Sequence, residues 1–276
     1  MTPSHSFRPA TTIDEVIDAL AAIVREERAR RSKHGLFAAL YLQVTRAVKH
    51  GIAADEFDDG ARMERLDVLF ANRYLAAYSA WEQGQPMPHS WRVAFESTEE
   101  GRTCILQDLL LGMNAHINVD LALAAAETGG AELLALEGDF MRINKLLHSL
   151  VDRVQDVIDR DSPLMDLADR LCGRADELAG TFVMDRARDE AWAQAVAIAP
   201  LVGNARAAHI ALLDRSISRL GRVVARPPSL LIRAVLTAVR LTERRPIEDT
   251  IARLSSLVPE SITPAPRAAS PRARVA

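Results

Sequence analysis

Cysteine is scarce in this chain. Cys104 and Cys172 are its only two in 276 residues, too few for a disulfide framework, and no Cys-x-x-Cys pair occurs. Both sit in helical, apolar settings, where they read as reduced core residues of a cytoplasmic protein. Aromatics are also sparse, at 5%, which argues against a pocket lined to stabilise carbocations. A net charge of −3 supplies no broad field for nucleic acid. Met1 to Pro9 has no apolar run to serve as a secretory signal. No window reaches about 18 uninterrupted apolar residues, so no transmembrane segment is expected. Also missing are a Gly-rich phosphate loop, a nucleophile elbow, a His-Glu-x-x-His run and the Glu-x-x-His pairs of di-iron bundles.

What is present is a chain long enough for a substantial core, 49% hydrophobic and 26% charged. One stretch stands out, Thr103 to Glu127, with no proline and a single glycine. Leu106, Leu110, Ile117 and Leu121 share one side of it as a helix, and Ile105, Leu109 and Leu123 another. A helix apolar on several sides is enclosed, so residues 103–127 are expected to form the buried central helix of an all-α fold. Embedded in it are Gln107, Asp108, Asn114, His116, Asn118 and Asp120. Each buried polar group costs on the order of 1–3 kcal/mol unless it is paired. At 100° per residue, Asp108, Gly112, His116 and Asp120 form an acid–imidazole edge. Gln107, Asn114 and Asn118 form an amide edge on the other side. Gly112, one turn from His116, leaves room for a ligand or a close backbone.

The remainder reads as about eight to ten helices packed in one bundle-like domain over 11–258, between disordered tails at 1–10 and 259–276. Thr12 caps a helix running to about Arg31, and a second spans about Leu36 to His50. His34 and His50 fall at its ends as solvated caps. Phe57-Asp58-Asp59-Gly60 turns into a helix over about 61–83, on which Met63, Asp67, Phe70 and Tyr74 share a face. An aspartate on such a face is expected to be internal. Asp58 and Asp59 carry turn and cap chemistry, or hold Mg²⁺, although Arg62 stands where a third carboxylate would be needed. After Gly129-Gly130, Asp139 caps a helix to about Asp159 that carries Asn144 and His148. Helices are also expected over 163–173 and 175–199, the second with Arg188 and Trp192 one turn apart as a stacked pair. Further helices cover about 204–224, 230–241 after Ser229, and 247–257.

Several of these pieces together resemble a bacterial family of all-α proteins catalogued as a domain of unknown function. The similarity rests on the run Leu111-Gly-Met-Asn-Ala-His-Ile-Asn-Val-Asp-Leu121, with Phe57-Asp58-Asp59-Gly60, Met63 to Tyr74, Asp139-Phe140 with Ile143-Asn144, and Ala187-Arg188 with Ala191-Trp192. It covers roughly 11–255 and implies a helical fold, with no activity attached. In the family pattern a histidine comes after the glutamine, where this chain has Asp108. That departure weakens any metal site that needs two histidines from this helix.

The polar centre admits three readings. The first is an intracellular enzyme acting on a small, largely apolar molecule, polyketide-like or acyl. His116 and Asp120 would bind one divalent metal ion, or His116 would act as a base oriented by Asp120. Asp67, Asp139, Asn144 and Arg188 would converge from other helices. The second is a cofactor-free binding or cyclase site, in which Tyr74, Gln107, Asn114 and Asn118 donate to substrate oxygens and Gly112 makes room. The third is a non-catalytic ladder that fixes helix register. Under the enzyme reading, His116→Ala should abolish activity and leave the melting temperature nearly intact. Separately, residues 215–245 hold eight arginines against Glu243. They read as a solvated face or as a basic amphipathic element touching anionic lipid, without aromatics for nucleic-acid stacking.

Overall fold

Local capping starts the architecture. In the computed structural model, which describes residues 7–161, 184–243 and 245–257, Thr12 Oγ1 accepts from the Glu15 N–H at 3.2 Å. That bond opens α1 (Ile13–Arg30), which ends where Arg31 turns left-handed at φ 55°. The Ala10 N–H and carbonyl each bond the Asn72 amide at 2.8 Å, so residue 10 is tied down and not part of a free tail. Residues 259–276 lie outside the described residues, as do Cys172 and the expected 163–173 helix.

Then come α2 (Gly35–Ala53), α3 (Gly60–Glu82) and α4 (His89–Glu99). The central helix is made of α5 (Ile105–Ala115), a π turn (His116–Leu121) and α6 (Ala122–Gly129). A short 3₁₀ turn leads into α7 (Leu133–Asp161), and after it come α8 (Met184–Ile198), α9 (Gly203–Ala225), α10 (Leu230–Thr242) and α11 (Ile247–Ser255). Counting the central helix once, the described residues form ten helices and no strand. The fold is all-α. The side chain of His148 lies outside the described residues.

The central helix is enclosed as its composition predicts. It is walled by α2, α3, α4, α8 and α9. The continuous helical run Ile105–Asn144 is long and apolar enough to cross a membrane by length and composition, but 89% of its apolar window is buried inside the protein. An interrupted apolar helix of this kind escapes a search for uninterrupted runs. Burial here marks it as a core helix.

Two expectations change. His34 is buried between the Trp81 and Phe95 rings, with Nε2 3.1 Å from Glu99, and is not a solvated cap. Asp139 lies inside α7 and does not cap it. Its carboxylate instead accepts the Asp58 and Asp59 N–H groups at 2.7 and 3.1 Å, and the Arg62 and Arg142 guanidinium groups at 3.0 and 2.6 Å. Burial alone would raise the Asp139 pKa, but these donors hold it below the usual carboxylate value. Asp59 caps α3 through the Arg62 N–H and Asp58 pairs with Arg142, so both are occupied structurally.

A buried His–Asp pair in an aromatic box

The π turn begins at His116. Such turns carry i→i+5 bonding and insert one residue into the α register, rotating the next turn of helix by about 100°. Within it, His116 Nδ1 lies 3.0 Å from Asp120 Oδ2, and both residues are buried. The same Asp120 oxygen accepts the Trp91 indole N–H at 2.8 Å. Trp91 can only donate, so Asp120 acts as an acceptor and accepts a hydrogen bond from the Nδ1–H of the imidazole. Nε2 is then the lone-pair side of a neutral ring, and it has no hydrogen-bond partner among the described residues. Burial, the largest influence, depresses the His116 pKa, while Asp120 opposes the shift.

Rings from three helices surround this imidazole. From α2 come Phe37 and Tyr41, with centroids 5.5 and 4.4 Å away. Phe70 of α3 stacks at 3.6 Å and 8°, Tyr74 stands edge-on at 6.2 Å, and Trp91 of α4 is 5.9 Å away. Of seven Phe, three Tyr and three Trp in the chain, five gather here. A low average aromatic content therefore conceals a local concentration, so composition by itself is no argument against an aromatic-lined centre. Phe37, Tyr41, Phe70 and Trp91 carry no spacing signal in common. Only their positions on the buried faces of amphipathic helices hinted at them.

Among the described residues two more buried polar atoms in this region lack a partner, the Tyr74 hydroxyl and Asp67 Oδ2, while the Tyr41 hydroxyl has the Thr45 side chain beside it. Burial, then the neighbouring Glu64 charge, pushes the Asp67 pKa up to about 8. Burial and the charges of Asp67 and Asp120 raise that of Tyr41. Tyr41 thus lies within electrostatic reach of both carboxyl groups. Burial, then Glu27, raises that of Tyr74 as well.

Other expected members stand elsewhere. Gly112 leaves no space for a ligand, because the Phe37 ring fills it: a Cβ there would come within 2.5 Å of Phe37 Cδ2. The amide edge is spent on holding α9. Gln107 donates to the Val224 and Ala225 carbonyls at 2.7 and 3.3 Å, Asn114 to Ile217 at 3.1 Å, and Asn118 to Asn114 Oδ1 at 3.2 Å. Asp108 receives Lys33 at 3.0 Å and Thr98 at 3.1 Å. Arg188 and Asn144 form a second centre, in which the guanidinium donates to Asn144 Oδ1 and, at 2.6 Å, to the Phe140 carbonyl. It lies 4.5 Å over the Phe140 ring and does not stack on Trp192. Burial brings its pKa down to about 10 against the pull of Asp185 and Asp189. The partners of this centre come from α7, and those of His116 from α2, α3 and α4. Among the described residues no three His, Cys, Asp or Glu side chains are placed to hold a metal, so His116 and Asp120 have no third such ligand.

No curated protein and no solved structure matches the chain. Residues 13–227 match the family of unknown function DUF5995, short of the expected 255, so α10 and α11 lie beyond the match. The chain belongs to that family.

Proposed function

We propose that this protein is an enzyme performing acid–base chemistry on a small, largely apolar molecule, with His116 as the base and Asp120 as the residue that orients it. One observation carries the reading. His116 Nε2, the Tyr74 hydroxyl and Asp67 Oδ2 are all buried, lie on neighbouring helices and make no hydrogen bond among the described residues. At on the order of 1–3 kcal/mol for each unpaired group, a purely structural ladder would not gather three of them. A substrate carbonyl or hydroxyl would pair with them.

The protonation states suit the two roles. His116, with a depressed pKa, is neutral at physiological pH and offers a lone pair. Asp67, at about 8, retains its proton and offers an O–H. Opposed shifts of this sort divide base from acid. Nε2 would remove a proton next to a substrate carbonyl, and the oxygen that gains charge would receive a hydrogen bond from Asp67 or Tyr74. Return of the proton to another atom completes an isomerisation or cyclisation with no external co-reactant. Polyketide-like and acyl substrates fit this chemistry. A metal-assisted route has less support, since only two suitable ligands come together among the described residues.

The test uses 5-nitrobenzisoxazole, which a base opens by taking its C3 proton as the N–O bond breaks, releasing a coloured phenolate. Wild type should turn it over at least about tenfold faster than His116→Gln, in line with general-base contributions. Equal rates in two equally folded proteins would sink the proposal.

A further inference from the structure

Helix α10 carries an exposed face without a charge. Leu230, Leu231, Ala234, Thr237, Ala238 and Leu241 recur at helical spacing and are all exposed. Leu230 is 73% exposed, and Leu231 and Leu241 are 64% exposed each. A soluble helix ordinarily turns such a stripe inward. Here the inward side is already provided by Val239, with Val235 and Leu236 partly buried against the core. The helix therefore has two apolar sides, and among the described residues only one is covered.

The exposed charges of α10 and of the chain just before it have one sign. Arg233 and Arg240 are the only charged residues of α10. Immediately before it, Arg215, Arg219, Arg222 and Arg226 fall at i, i+4, i+7 and i+11 along α9 and its C-cap, and all four are exposed. Arg245 comes after it, also exposed, 3.5 Å from Asp161. The two acids within this segment face the protein. Asp214 caps α4 by accepting the His89 and Ser90 N–H groups at 2.7 and 2.9 Å, and Glu243 accepts the Ile105 N–H at 2.8 Å. Exposed leucines on a helix whose only charges are Arg233 and Arg240, entered from a chain segment with exposed arginines, match the chemistry of an anionic lipid surface, where arginine meets phosphate and leucine meets the acyl boundary. A partner protein would have to supply an acidic rim around an apolar strip.

We infer that α10, with the arginine row of α9, is a peripheral docking face for anionic membranes. Neither the arginine row nor the leucine stripe belongs to the His116 centre, so the inference stands apart from the proposed chemistry. It would place the enzyme where apolar molecules partition.

Co-sedimentation of the full chain with vesicles tests it. Binding is expected to phosphatidylcholine vesicles containing about a third phosphatidylglycerol and not to pure phosphatidylcholine, and should fall with salt. Replacing exposed residues should leave the fold intact, which circular dichroism checks. Leu230→Ser, Leu231→Ser and Leu241→Ser together should weaken binding at least about tenfold. Arg219→Gln should weaken it about fivefold, the factor for one basic residue near such a surface. Absence of binding to anionic vesicles, or binding that these variants leave unchanged, overturns the inference. A dimer in light scattering that the three serines dissociate would do the same, because the face would then belong to a second copy.

Discussion

The Phe70 ring lies flat on the His116 imidazole, with centroids 3.6 Å apart and planes 8° from parallel. The base is thus clamped on one face, while Asp120 fixes its edge through Nδ1. A ring held on two sides keeps one tautomer and one orientation, which a catalytic imidazole requires. The same clamp makes His116→Ala a poor functional probe. Removing a ring packed among five others leaves a cavity costing about 2–4 kcal/mol, contrary to the near-intact stability expected from sequence. His116→Gln keeps most of the volume and is the better variant.

Acid should destabilise the protein through this residue. The folded pKa of His116 lies below its unfolded value of 6.5. Between the two, the unfolded chain binds more protons, so stability is complete above pH 6.5 and is lost as pH falls through the folded pKa. Thermal melts across this window should show a decline that His116→Gln reduces. Identical pH profiles for the two proteins would contradict the assignment of a buried, neutral imidazole.

Asp67 has the opposite sign. Its pKa rises from 3.8 to about 8 on folding, so the folded state binds the extra proton. Its ionisation therefore costs stability progressively from about pH 4 to pH 8, and the cost is constant above. Asp67→Asn, which stays neutral, should melt at a higher temperature than wild type at pH 8.5, with the gain shrinking toward pH 4. Base turnover of 5-nitrobenzisoxazole should survive the change, because proton abstraction lies with His116.

Gly112 is predicted to resist even a single methyl group. Its neighbour is the root of the Phe37 ring, with Cγ 2.7 Å and Cβ 3.1 Å from an added carbon, and Phe37 packs on His116. Gly112→Ala should cost about 1–3 kcal/mol, as overpacking does. Calorimetry of Gly112→Ala with Phe37→Leu should recover part of the loss. If the double variant melts no higher than the single one, Phe37 is not the obstacle.

Trp91 anchors the dyad from α4. Trp91→Phe removes the N–H that Asp120 accepts while keeping a ring in place. About 1–3 kcal/mol of stability should go with it. The freed carboxylate would then pull more strongly on the imidazolium, so the His116 titration tracked by NMR should move upward.

Much of the molecule was legible along the chain. Thr12, Asp59 and Ser229 cap their helices because a side-chain oxygen reaches an N–H three residues on, a purely local event. The enclosure of the central helix stems from apolar residues on several of its faces, again a local pattern. Asp67, His116 and Asp120 could be named from such patterns because each interrupts an apolar surface, and Tyr74 because it shares the face of Asp67. Tertiary structure decided what those residues meet. The π turn, the stacking of Phe70, the Trp91 bond to Asp120 and the unpaired hydroxyl of Tyr74 depend on how α2, α3 and α4 cross the central helix. Asp139 is the clearest case, since a residue that resembles a helix cap is spent 77 to 81 positions away on Arg62 and the backbone of Asp58. Hydrogen bonds and periodicity act within a few residues, so sequence states them. Convergence of side chains from separate helices is set by packing, and only the folded chain states that.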